Sequence, residues 1–152
     1  MRKHVVAALA MAAIAIPGMS AAQDARQGWT YAYTDGVATA TQTDNRNHVA
    51  VTLTCRPPDG DILITDYTLA RNARRADHAD VRIGNLSVHV PMTLQGRGRN
   101  ATVVIHLPQR PPILAGAQPT DQLSVTVNNQ TATYQGASAM QLKDVAYACW
   151  GS

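Results

Sequence analysis

The sequence predicts an all-β fold, an antiparallel β-sandwich or flattened barrel of about eight strands built of hairpins, with one C-terminal helix stapled by a disulfide. Three observations predict it. Apolar and polar residues alternate in run after run, most strictly over Val49–Cys55, where Val49, Val51, Leu53 and Cys55 share one face and Ala50, Thr52 and Thr54 the other. Turn-forming residues separate the runs. The two cysteines, Cys55 and Cys149, fall on that strand and near the end of the chain, so a bond between them ties the two together.

The chain opens with Met1-Arg2-Lys3-His4, an unbroken apolar run from Val5 to Ile16, Pro17-Gly18, and then Ser20-Ala21-Ala22, small residues where a signal peptidase reads. This is the pattern of a secretory signal peptide over 1–22, removed to leave a single β-rich domain over 23–152. The run is too short to cross a hydrocarbon core of about 30 Å, and no later stretch approaches a membrane helix, so no transmembrane segment is expected in the mature chain. The formal charge of +3 comes from 13 basic and 10 acidic side chains; Arg2 and Lys3 leave with the leader, so 11 face 10 and the net is +1. Nucleic acid is therefore not an expected partner. Every acid is Asp, and every base is Arg except Lys3 and Lys143, a bias of GC-rich bacterial coding. With the leader it suggests a periplasmic or secreted protein. Two cysteines in an exported chain form a disulfide, Cys55 to Cys149, whose closure stabilises by about 4 to 5 kcal/mol in the chain-entropy model. No C-x-x-C pair suggests redox work.

Trp29, Tyr31 and Tyr33 alternate on one face of the first strand, and Asp35-Gly36 suits a two-residue turn with positive φ at both positions. Val37–Thr43 then returns, with Tyr33 opposite Ala38, Tyr31 opposite Ala40 and Trp29 opposite Gln42. Large rings facing alanines predict core packing for all three aromatics rather than a stacking platform for sugars. Pairing Thr43 with His48 across the polar loop sets Ala40 against Val51 and Ala38 against Leu53. Pro57–Gly60 turns the chain into Ile62–Thr65, with Tyr67–Leu69 as a continuation. Ala70–Asp80 has no large apolar residue and reads as an exposed loop or one helical turn, and a strand resumes at Val81–Ile83. Leu86–Leu94 and Ala101–Leu107 form a hairpin around 95–100. Pro108–Thr120 holds four prolines and cannot be a central strand, though Ile113–Ala117 suits a helical turn. Leu123–Val127 and Thr131–Tyr134 form a third hairpin across 128–130. Ser138 with Gln141 makes a capping box, and Leu142, Val145, Ala146 and Cys149 follow at helical spacing.

No nucleophile elbow, zinc-protease helix, phosphate loop or dinucleotide fingerprint is present, so no catalytic residue and no cofactor are predicted. The leading expectation is a non-enzymatic binding or structural module for a protein or cell-envelope partner. A histidine-based metal-binding protein comes second and a hydrolase with a site assembled from distant residues third. For the metal, a turn at Arg97-Gly98 sets His89 directly opposite His106 on the face away from the core, whereas a turn at Gly96-Arg97 or Gly98-Arg99 keeps the faces and leaves them diagonal or more distant. A third ligand then comes from His48 or His78, since two are too few for a tight site. Asp77 and Asp80 around His78 form another possible cation set, more simply read as a solvated loop beside Arg74, Arg75 and Arg82. Arg97 and Arg99 make an exposed basic tip suited to an acidic partner, a lipid headgroup or a glycan, and more simply read as a soluble turn. Asn85, Asn100 and Asn129 each begin a glycosylation triplet at a turn or strand end, inert in a bacterial periplasm.

Overall fold

In the computed structural model, which describes residues 28–57, 60–108, 110, 112–134 and 139–151, the first hairpin has the expected register. Strand β1 (Gly28–Thr34) pairs with β2 (Val37–Thr43) through Tyr33 and Ala38, Tyr31 and Ala40, and Trp29 and Gln42. Asp35 and Gly36 turn at φ of 52° and 76°. Strand β3 (Val49–Cys55) joins two residues away from the expected register, with Ala40 opposite Leu53 and Ala38 opposite Cys55. The cause is the loop. Asp44 Oδ1 accepts the N–H groups of Arg46 and His48 at 2.8 Å, the Asp44 N–H donates to the His48 carbonyl at 2.8 Å, and the ladder slips beyond Gln42 so that Thr43 meets Val49. A shift of two keeps every side chain on its own face, so the inward set is unchanged.

Strand β4 (Ile62–Asp66) ends where continuation through Leu69 was expected. The buried Asp66 carboxylate captures the next residues instead: its Oδ1 accepts the Thr68 N–H at 2.7 Å, the Thr68 hydroxyl at 3.0 Å and the Leu69 N–H at 2.9 Å. Strand β5 (His78–Ile83) starts three residues before Val81, because Ala79, Val81 and Ile83 already alternate inward. It turns through Gly84, at φ 56°, into β6 (Leu86–Gln95). Residues 86–91 of β6 pair with β5 and residues 92–95 with β7 (Thr102–Leu107); the exchange of partners falls at Pro91, which has no N–H to give. A 3-10 turn, Gly98–Asn100, closes that hairpin. A four-residue helix α1 (Pro112–Ala115) precedes β8 (Leu123–Val127) and β9 (Gln130–Tyr134), joined by Asn128 and Asn129 at φ of 48° and 66°, a tighter link than expected. Helix α2 (Ala139–Trp150) follows.

The nine strands, rather than about eight, form one antiparallel sheet in the order β1-β2-β3-β4-β7-β6-β5-β8-β9, curled into a half-barrel. Its inner faces share a single apolar core. Helix α2 lies over β1, β2 and β3 and sinks Leu142, Val145 and Cys149 into that core, while α1 packs on β5 and β6. Cys149 reaches Cys55 at disulfide distance, with the Cα atoms 5.9 Å apart. The curl brings β9 back to the end of β4, where the Tyr134 hydroxyl donates to Asp66 Oδ2. Asn128 ties in the preceding loop, its Nδ2 donating to the carbonyls of Asn72 and Arg74 at 2.8 and 3.2 Å. The loop from Ala70, expected to be exposed, buries Ala73, and Leu69 just before it is buried as well.

Of the three aromatics expected in the core, only Trp29 is there. Tyr31 is 38% exposed and Tyr33 58%, because β1 is an edge strand and lies at the margin of the helix that covers β2 and β3. The leader and Ser138 of the capping box fall outside the described residues. Among the described residues no helix is long and apolar enough to cross a membrane.

Candidate functional site

The outer face of the first half of the sheet is built from the polar positions of its alternating strands. Cross-strand register lines up Thr30, Thr41, Thr52, Thr65, Val104 and Thr93 in one row across β1, β2, β3, β4, β7 and β6. A neighbouring row runs through Ala32, Thr39, Thr54, Leu63 and His106. Branching at Cβ suits threonine to a pleated surface. It does not account for the charge pattern. The one charged residue on β1, β2, β3, β4 and β7 is Asp66, which is turned inward and fully buried, although exposed sheet surfaces ordinarily carry both signs of charge for solubility.

The second row ends in a hollow of about 400 Å³ lined by Val37, Thr54, Arg56, Asp61, Leu63 and His106. Two flat polar groups, an imidazole and a guanidinium, and one carboxylate meet apolar wall there. Gly60 turns that end by donating its N–H to the Arg56 carbonyl at 3.1 Å.

The histidines considered as metal ligands lie in three places. His106 pairs with Leu63 beside the hollow. His48 sits in the β2–β3 loop, 3.6 Å from Asp44. Strands β6 and β7 set Met92 opposite Ile105 and Leu94 opposite Val103, the spacing of a turn centred on Gly98-Arg99, so His106 falls level with Pro91 and not with His89. His89 instead stacks on His78, ring centroids 4.8 Å apart and planes within 7°. Each ring turns Nδ1 to a carboxylate, His78 to Asp77 at 2.9 Å and His89 to Asp80 at 2.7 Å. The hydrogen bond from His78, then its charge, hold the Asp77 carboxyl below its usual range. The pair borders a polar cavity of about 280 Å³ with Arg75, Thr126 and Asn128. A ring nitrogen binds a metal in the plane of its ring, and one ion cannot lie in two parallel planes that stand apart. Consistent with that geometry, among the described residues no three His, Cys or Asp side chains are placed to hold one metal ion.

Arg97 and Arg99 are both exposed on the loop that carries the 3-10 turn, and Asn85, Asn100 and Asn129 lie on exposed turns. Two features escaped the sequence reading. One is the Asp66–Tyr134 join, for which a lone Asp closing an apolar strand was the available signal. Burial, then the Asp66 charge, push the Tyr134 phenol well above its ordinary value, so it stays a donor. The other is a second stripe on α2, discussed below. Comparison of the chain with protein-family models, with curated proteins and with solved structures finds no match.

Proposed function

We propose that the protein is a non-enzymatic binding module that acts outside the cytoplasm, in a bacterial periplasm or after secretion, and that its uncharged outer face takes a neutral glycan of the cell envelope. The observation that carries the reading is the pair of threonine-rich rows running without a charged side chain into the hollow beside His106. A sugar ring offers hydroxyls that both donate and accept, set on an apolar C–H frame. Threonine matches both parts with a hydroxyl and a methyl. Along the rows such a ligand meets no ion to strip of water, and only at the end, in the hollow, do the charged Arg56 and Asp61 with His106 add directional hydrogen bonds. The leader-like start of the chain and the cysteine pair support an oxidising compartment. The same reading takes the curled sheet for a flattened barrel, supported by its single core and by the bond between β4 and β9.

Binding of the oxidised protein to insoluble neutral polysaccharides, followed by titration with their oligosaccharides, tests the proposal. Thr52→Lys is expected to abolish retention while leaving the far-ultraviolet circular dichroism unchanged. Retention by no neutral polysaccharide, or equal retention of the variant, overturns it.

A further inference from the structure

Helix α2 carries two stripes. Leu142, Val145 and Cys149 face the core; Ala146, Tyr147 and Trp150, led by Lys143 at i, i+3, i+4 and i+7, line a groove against α1. The groove holds about 360 Å³, within the range of small-molecule sites. Its floor is Leu114, 1% exposed, and Tyr147 stands 65% exposed on its flank, the most exposed large apolar side chain among the described residues.

The charges of this lining are one-sided. Arg110 and Lys143 are cations that only donate hydrogen bonds, the exposed Tyr147 hydroxyl can donate or accept, and among the described residues the lining includes no acid. Arg110 is held at φ 51°, a conformation that disfavours any residue with a side chain and that gathers at ligand sites. A neutral peptide brings no charge to meet the two cations, whereas a carboxylate pairs with them. A ligand that accepts only, carries negative charge and is otherwise apolar satisfies every wall. We propose that the α1–α2 groove binds a single-chain fatty acid, its carboxylate held by Arg110 and Lys143 and its chain laid against Leu114, Ala146, Tyr147 and Trp150.

Laurate is the probe, with dodecyltrimethylammonium and dodecyl maltoside as cationic and neutral amphiphiles of the same tail, all below their micelle concentrations. Titration of the intact oxidised protein by calorimetry is expected to give saturable binding of laurate alone. The chain has two tryptophans, so tryptophan emission of a Trp29→Phe variant reports Trp150 and is expected to shift with the same saturation. Lys143→Gln and Arg110→Gln, both on the surface, are each expected to weaken laurate about tenfold, the scale of one hydrogen bond to a charged group. Ala146→Trp, which fills the groove, is expected to abolish it. If the Trp29 variant does not fold, calorimetry on the other variants still decides. Absence of saturable laurate binding, equal binding of the three amphiphiles, or unchanged affinity in the Lys143 and Arg110 variants overturns the proposal.

Discussion

From β1 to β7 the outer positions hold threonine, alanine, valine and leucine with one histidine; on β5 and the first half of β6 they hold His78, Asp80 and Arg82 beside Ser87 and His89. The inner faces show no such difference, both filled by Val, Ile and Leu of one core. The same kind of hairpin builds both halves, so the folding problem is solved alike with charge outside and without it. On the proposed function, the contrast on the outside belongs to what each face meets. The halves also differ in what holds them. Helix α2 and the cysteine pair clamp the first, α1 covers β5 and β6, and Asp66 with Tyr134 joins β4 to β9.

The largest effect should come from the clamp. Thiol labelling of the denatured protein is expected to find no free thiol, and reduction or Cys149→Ser to lower stability by about 4 kcal/mol, the loop-closure value for a separation near a hundred residues. The loss should fall unevenly, with hydrogen exchange quickening in β1–β3 before β5 and β8. An unmoved denaturation midpoint on reduction, or even quickening across both halves, would remove the idea of a one-sided clamp.

Next comes the join. Asp66→Ala leaves the Leu69 N–H and the Tyr134 hydroxyl without this acceptor in the core, and the two donors of exposed Thr68 at its margin, at a cost of about 3 kcal/mol, whereas Tyr134→Phe removes the bond to Asp66 and the 3.2 Å contact with the Thr68 hydroxyl and costs about 1 to 2 kcal/mol. Equal losses in the two variants, measured by urea unfolding, would show that the tyrosine and not the carboxylate organises the turn. The same join gives a pH dependence. Burial and Asp66 raise the Tyr134 phenol above its unfolded value near 10. Its contribution is therefore complete below about pH 10 and is lost as pH rises beyond it. The Tyr134 phenol should therefore ionise only as the protein unfolds. A Tyr134 phenolate forming while the fold is intact would contradict this.

Where period and turn chemistry agree, the sequence was enough. Asp35-Gly36 set the first hairpin to the residue, and the inward faces of β2, β3, β4 and β7 follow from alternation alone. Loop bonds are where it ran out. Asp44 moved the β2–β3 register by two residues through side-chain hydrogen bonds that periodicity does not contain. Edge position was equally hidden: the pattern of Trp29, Tyr31 and Tyr33 says which way the rings point, and only the strand order says that, among the described residues, the last two stand on an edge strand and are only partly covered. The candidate face needed strand order as well. Threonines scattered from 30 to 93 become a row only when β7 inserts between β4 and β6. His78 and His89 meet for a related reason, since β5 begins at His78 and sets it on the same hairpin face as His89.

The smallest effect is the one that separates folding from function on the two faces. Thr52 is half-buried between Thr41 and Thr65, and a lysine there can lay its methylenes on the sheet and keep its ammonium in water. Arg82 on the other half lies between Ser87 and Ser124, so a threonine there joins neighbours of its own kind. Neither exchange opens a cavity or strands a buried group, and each should change stability by no more than about 0.5 kcal/mol. Thr52→Lys and Arg82→Thr thus exchange the character of the faces at one point while leaving the core alone. If charge is absent from the first face because the fold demands it, Thr52→Lys will destabilise well beyond Arg82→Thr in urea. If it is absent because of what binds there, the two will unfold alike, and only Thr52→Lys will lose the glycan.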